Sequence, residues 1–340
     1  MITLKKIIPV SLLCTGLMLI TVHSYAECDV STSGNVSIGT MPSITLAETG
    51  LQSTQFNAGL SCSGFLTILT VSYIKYRVDQ MPVNYINSVN GERITVNYLD
   101  TANNPISLGS ERELGGLSLI GLFSGPGGSL QFNARVNPGQ AVSPGIYRAE
   151  KPFKVKWYYS VPYFGVGPAQ LSFESPGFTR GFWPFVSFSW GSGRDATFDL
   201  QLEVLPDCRI STNDVNFGTV AFATAFEPVQ TSMGVRCSAK TPYKVSLNNG
   251  LYPQSGNQRA MKSETTNNYL RYEIYKNATI QRWGSNGSEQ WLSTNATTNA
   301  GNYDGKNPQG YAFTSKILEN NLNNLPAGKY SDTITVQVEF

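Results

Sequence analysis

Phe198-Asp-Leu200-Gln-Leu202-Glu-Val204 alternates apolar and polar residues without a break, and Leu205-Pro206-Asp207-Cys208 follows at once. Strand side chains point to opposite faces with period two, so this stretch reads as a half-buried β-strand that Pro206 ends. What surrounds it decides the fold. The residues after it, Cys208-Arg-Ile-Ser-Thr reaching Phe217-Gly218-Thr219, restate Cys28-Asp-Val-Ser-Thr reaching Ile38-Gly39-Thr40. Gly59-Leu-Ser-Cys62 recurs as Gly234-Val-Arg-Cys237, and Phe132 leading to Pro144-Gly-Ile-Tyr147 recurs as Phe313 leading to Pro326-Ala-Gly-Lys-Tyr330. The offset between landmarks drifts little, as expected of a duplicated domain with loop insertions. The first copy continues to the strand 198–204, whereas the second stops at Phe340 with no counterpart. A sandwich short of an edge strand leaves backbone N–H and C=O groups unpaired. The second copy is therefore expected to borrow a strand from another chain, as a subunit of an assembly does.

Alternation recurs in Ile94-Thr-Val96-Asn-Tyr98 and Ile334-Thr-Val336-Gln-Val338-Glu-Phe340, and no long run has helical period. Many short strands with Gly/Asn/Ser/Thr turns imply an all-β protein of two immunoglobulin-like, pilin-like β-sandwiches, residues 27–206 and 207–340. Residues 1–26 read as a signal peptide: Lys5 and Lys6, an apolar run from Ile7 to Ile20, then Ser24-Tyr25-Ala26. The run is short for a membrane span, so the mature protein is expected to be exported. Cleavage would remove Cys14 and His23 and leave four cysteines, which allow three pairings. The repeat favours Cys28 with Cys62 and Cys208 with Cys237, because each domain then closes the same loop, and an oxidising compartment follows.

Cleavage also lowers the basic residues from 25 to 23 against 23 acidic ones, with no Lys/Arg block, which argues against nucleic acid as a partner. Without histidine or free thiols the mature chain has no imidazole base, no thiolate nucleophile and no His or Cys metal ligand. No nucleophile elbow or phosphate-binding loop occurs. The chain is thus expected to be no enzyme and to carry no metal or cofactor.

Cys208, Phe217-Gly218, Cys237, Pro242-Tyr243, Leu247 with Gly250, Arg259-Ala-Met261, Leu270-Arg-Tyr272-Glu-Ile274-Tyr275 and Trp283-Gly284 together resemble the spore coat protein U domain, the pilin-like module of archaic chaperone–usher pili. The first domain keeps only a weak version. A divergent first domain joined to such a pilin domain resembles the two-domain tip adhesin of Csu-type pili. That resemblance implies an incomplete C-terminal immunoglobulin-like domain, completed first by a periplasmic chaperone and then, at the outer-membrane usher, by the N-terminal strand of the adjacent subunit. Ile334, Val336, Val338 and Phe340 would line the donor-strand groove. Because Cys28 is the second residue of the expected mature chain, no donor extension precedes it, which suits a subunit at the tip of a fibre on the cell surface.

Three stretches of the first domain place large apolar side chains between Gly and Pro turn residues: Leu117, Leu119, Ile120, Leu122 and Phe123; Val161, Pro162, Tyr163, Phe164 and Val166; and Phe178, Phe182, Trp183, Pro184 and Phe185. Turns ordinarily face water and are polar. These are expected to be exposed loops that bind a hydrophobic abiotic or biotic surface, as the adhesin resemblance also implies, in biofilm formation. A buried plug is the alternative for the loops. A sugar-binding lectin and a non-adhesive cap of the fibre are the alternatives for the protein.

Overall fold

The computed structural model describes residues 27–31, 34–114, 119–181, 187–319, 321 and 325–340. The expected signal peptide, Leu117, Phe182, Trp183, Pro184 and Phe185 lie outside them. Alternating sequence becomes strand throughout. The chain begins with β1 (Glu27–Val30), β2 (Asn35–Pro42), helix α1 (Ser43–Thr49), β3 (Leu51–Ser63), β4 (Leu66–Ile68), β5 (Tyr73–Gln80), β6 (Asn84–Asn87), β7 (Arg93–Leu99) and β8 (Glu111–Glu113). After helix α2 (Leu119–Leu122) come β9 (Ser129–Val136), β10 (Gly145–Ala149), β11 (Phe153–Val166), β12 (Ala169–Glu174), β13 (Thr179–Gly181), β14 (Ser187–Ser189) and β15 (Arg194–Leu205). The remainder holds β16 (Cys208–Ser211), β17 (Val229–Cys237), β18 (Lys244–Leu247), β19 (Arg259–Ser263), β20 (Tyr269–Lys276), β21 (Trp291–Leu292), β22 (Gln309–Ile317), β23 (Tyr330–Ser331) and β24 (Val336–Glu339).

In the first domain a continuous ladder runs β1-β3-β9-β7-β6-β10-β15-β11-β5-β8, with β4 and β12 added on β11 and β2 on β15. In the second, the sheets β16-β17-β22-β20-β19-β23 and β21-β18-β24 enclose a core of their own. The protein is thus nearly all-β, in two pilin-like domains. Each carries one disulfide between directly opposed strand residues, Cys28–Cys62 on β1 and β3 and Cys208–Cys237 on β16 and β17, with Cα atoms 4.1 Å apart in both.

The alternating stretch that follows Arg194 is β15, and its inward face is Ala196, Phe198, Leu200, Leu202 and Val204, none more than 3% exposed. It runs antiparallel to β11, Phe198 opposite Phe153, and parallel to β2, Leu200 opposite Val36. Phe198 stacks on Phe153 with centroids 5.4 Å apart, within an aromatic core that includes Phe56, Tyr98 and Phe132. Burying each such side chain contributes about 1.5–3 kcal/mol, so β15 is a main support of this core.

The joint between the domains is polar. Asp207 accepts hydrogen bonds from the backbone N–H of Ile44 (2.9 Å) and the Ser43 hydroxyl at the start of α1. Arg236 pairs with Glu48, Arg209 donates to Thr45, and Lys240 pairs with Glu92 at 2.8 Å. Glu92 also accepts from the Ser143 N–H (2.8 Å) and the Tyr147 hydroxyl (3.1 Å). Burial alone would raise its carboxyl, but the bonds from Lys240, Ser143 and Tyr147 outweigh that and hold it at about 2.

Candidate functional site: an open slot and an apolar pole

The duplication gives each part of the second domain an internal standard. Phe153, Val155 and Trp157 stand as far beyond Tyr147 as Val336, Val338 and Phe340 stand beyond Tyr330. In the first domain all three are buried beside β15. In the second, Val336 and Val338 are half-buried and Phe340 is 54% exposed. Their strand β24 pairs with β18 from Lys244 opposite Glu339 to Leu247 opposite Val336, and among the described residues nothing pairs with its other edge. The facing wall is open too. Val215 and Phe217 lie half-buried against the second core, alternating with exposed Asp214, Asn216 and Gly218, yet among the described residues they join no ladder. Their counterparts in the repeat are Val36 and Ile38 of β2, where Ile38 is fully buried and the strand pairs with β15. Ile334, Val336 and Val338 do pack on the second core. By comparison with the first domain, both segments keep an apolar row on the second core and, among the described residues, lack the strand partner that β15 provides there.

A buried ionic brace holds one wall. The Arg259 side chain is fully buried and pairs with Glu273. Its remaining donors meet the carbonyls of Asn248 (2.6 and 2.8 Å) and Trp283 (2.8 Å). Glu273 also accepts from Arg282 at 2.8 Å, so the carboxylate is shared between two guanidinium groups. Asn248 in turn accepts from the N–H of Thr335 (2.9 Å), the residue before β24. The fixed fork of Arg thereby ties β18 to the start of β24.

The second site lies at the other end of the first domain. β3 begins beside α1 and the domain joint and ends at Ser63; β11 runs from Phe153 past its last partner on β15, Trp157 opposite Arg194, out to Val166. There β4 pairs with β11, Leu66 opposite Phe164 and Ile68 opposite Val166, and β11 turns back through β12, Phe164 opposite Leu171. The Gln170 side chain clasps Val71 through its N–H (3.1 Å) and C=O (3.0 Å). Leu66, Ile68, Leu69, Val71, Phe164, Val166 and Leu171 are all more than half exposed, from 53% at Val71 to 86% at Leu69. Leu69 also has φ 53°, a left-handed conformation that costs a non-glycine residue about 1–2 kcal/mol. An apolar side chain is kept at the tip of a turn where glycine would be cheaper. Exposed apolar surface here amounts to roughly 700 Å², above the 300–600 Å² of the largest patch on a typical monomer.

Beside this pole β13 and β14 pair antiparallel, and their flanking residues form an aromatic base. Phe188 sits 4.9 Å from Tyr73 and 5.2 Å from Trp190, and Phe178 stacks on Phe188 at 6.1 Å. The Lys75 ammonium lies 4.7 Å from the Trp190 ring and 4.8 Å from the Tyr158 ring while pairing with Glu111 at 2.7 Å.

Exposure divides the expected binding residues. Phe164 and Val166 are at the pole, and Tyr163 is half-buried against Phe173, 4.4 Å between centroids. Leu122, Phe123, Val161, Pro162 and Phe178 are buried, contrary to the expectation of exposed loops, and Leu119 is half-buried on the first core. The reasons are local. Helix α2 folds its stretch back so that Leu122 and Phe123 seal the end of the core, and the Phe123 ring, 5.7 Å from Phe65, supports the base of the 65–71 turn. Val161 and Pro162 directly follow Ser160, the last residue of β11 paired with β5, and Val161 still packs in the first core, whereas Phe164 and Val166 lie beyond it; Phe178 is the floor of the aromatic base. In the third stretch 182–186 lie outside the described residues, as does the side chain of Ile120.

A crystal structure of the CsuC–CsuE chaperone–tip adhesion subunit pre-assembly complex, from the archaic chaperone–usher Csu pili of Acinetobacter baumannii, matches 92% of this chain and 100% of its own at 51% identity, with a TM-score of 0.77. The chain belongs to this family of pilus tip adhesin subunits. The Spore Coat Protein U domain matches residues 194–337. It begins not at Cys208 but at the first residue of β15. The adhesive subunit CfaE of the CFA/I fimbria of enterotoxigenic Escherichia coli and the CupB6 tip adhesin of Pseudomonas aeruginosa each align with 92% of the chain, at 8% and 9% identity and TM-scores of 0.30 and 0.29, too low to carry anything further. Curated protein sequences gave no match.

The adhesin's most exposed turn, Leu66-Thr-Ile-Leu-Thr-Val71, escaped the sequence reading because it carries no Gly or Pro of its own and follows Cys62 like more strand. Its signal was the failure of alternation at Ile68-Leu69.

Proposed function

We propose that this subunit attaches cells to apolar surfaces through the exposed pole of its first domain, promoting biofilm formation, while the slot of its second domain holds it at the tip of a pilus. The observation that carries the reading is the set of seven exposed apolar side chains gathered at one pole, on β4 and the turn after it, the end of β11, and β12. At about 25 cal/mol/Å², burying roughly 700 Å² is worth on the order of 17 kcal/mol gross. Association costs of about 4–15 kcal/mol leave one tip with modest affinity, which many pili per cell multiply by avidity. The pole is held by paired strands, so little ordering is needed on contact.

The slot fits β-augmentation, in which an incoming strand pairs with free edges while its alternate side chains fill the groove. A periplasmic chaperone supplies that strand first, and the next subunit's strand replaces it at the outer-membrane usher. The family relationship supports the chaperone as a partner, since the related subunit was solved with one. The protein is exported through the periplasm, acts at the cell surface and performs no catalysis.

The test is competition. Cells bearing these pili should bind octyl-coated glass better than hydroxylated glass, and sub-micellar non-ionic detergent should release them. Release by free monosaccharides instead would identify a lectin, and indifference to both coatings would leave a non-adhesive cap.

A further inference from the structure

Four observations meet on β15. It lies immediately ahead of the second domain, separated from Cys208 by Pro206 and Asp207 alone. The Spore Coat Protein U match begins at Arg194, so the recurring unit consists of this strand plus the open sandwich after it. β15 fills the slot between β2 and β11, the place left open in the second domain between 215–218 and β24. And its inward residues Ala196, Phe198, Leu200, Leu202 and Val204 are what bury Phe153, Val155 and Trp157, the counterparts of the under-covered Val336, Val338 and Phe340.

We infer that β15 is the leading strand of the second unit, donated within the chain to the first, so that the joint between the two domains is a covalently continuous copy of the joint the next subunit makes on the second domain. The inference rests on the reading of the slot as a strand acceptor and specifies its occupant. The strand it takes runs antiparallel to β24 and parallel to 215–218, and offers a small side chain opposite Val338, as Ala196 stands opposite Val155, and an aromatic one opposite Val336, as Phe198 stands opposite Phe153. The polar contacts of Asp207, Arg236 and Lys240 show what the residues after a donated strand do: they dock on the domain that received it.

The test extends the full chain beyond Phe340 by a turn of about four residues and a second copy of 194–205, a hairpin that delivers the copy antiparallel to β24. Two controls carry the same twelve residues shifted by one position, which turns the apolar face outward, and an unrelated alternating Val/Thr strand. Amide exchange at Val336–Glu339 is read by mass spectrometry. The copy should slow exchange at least about tenfold and the shifted copy should not. If the Val/Thr strand closes the slot and the 194–205 copy does not, or if the shifted copy protects as well as the true one, the inference falls while the slot remains an acceptor. If no extension slows exchange, the slot does not accept strands and the reading beneath the inference falls with it.

Discussion

Phe123 and Ile68 sit in neighbouring apolar stretches of one domain, and the structure assigns them opposite work. The Phe123 ring is 6% exposed, packs on Phe65 and closes the core, whereas Ile68 is 64% exposed at the pole. Phe123→Ala removes a buried ring and leaves a cavity, a loss of about 3–5 kcal/mol. In a domain of this size each kcal/mol lowers Tm by about 2–4 °C, so a fall of roughly 6–20 °C is expected. Ile68→Ser removes side-chain surface that water already reaches, and stability should change by no more than about 0.5 kcal/mol. Calorimetry of the full chain, following the transition of the first domain, separates the two, and attachment of piliated cells is scored beside it. Phe123→Ala should lower piliation through lost folding, and attachment per pilus should hold. Ile68→Ser should lower attachment per pilus at unchanged Tm. A Phe123→Ala protein with wild-type Tm and lost attachment would refute the division, and would return the 117–128 stretch to the binding surface.

Arg259→Met leaves Glu273 with one guanidinium and frees the Asn248 carbonyl, and should cost about 3–5 kcal/mol in urea unfolding of the second domain; Arg259→Lys should recover less than half, since an ammonium cannot reproduce the fork. Cys208→Ser and Cys28→Ser should each destabilise their own domain by about 2–4 kcal/mol, with the larger loss of assembled pili from Cys208→Ser, because on the proposed strand exchange only the second domain has to stay open. The Glu92 carboxyl, held at about 2 in the fold, binds fewer protons there than in the unfolded chain. The stability it adds is complete above its ordinary carboxylate range and fades as pH falls toward about 2, so acid unfolding of Glu92→Gln should show a shallower pH dependence across that window than the parent.

Much of this was open to reading in advance, and the limits have physical causes. β15 declared itself by strict alternation, and its buried face is the apolar half of that pattern. The free edge of β24 among the described residues was expected from comparing the two copies, since alternation in Ile334-Thr-Val336-Gln-Val338 gives a face but does not say what covers it. Gly and Pro around Leu119–Phe123 marked a turn, but a turn's composition does not tell whether it folds back or stands out; α2 folds it back. The Leu66–Val71 turn was hidden because its tip is formed by a left-handed leucine, a conformation that residue type argues against. Arg259 was visible only as one of several motif residues. Its role depends on Glu273 and on the Asn248 and Trp283 carbonyls, which pair with it only after folding.

The most direct measurement replaces Leu66, Ile68, Phe164 and Val166 together by Ser and scores attachment to polystyrene at matched pilus number. Because these side chains are already more than half exposed, subunit Tm and piliation should stay at parental values. Attachment should fall at least about tenfold, as the loss per tip is multiplied over many pili. Parental attachment by normally piliated cells carrying all four serines would contradict the assignment of the pole as the adhesive surface.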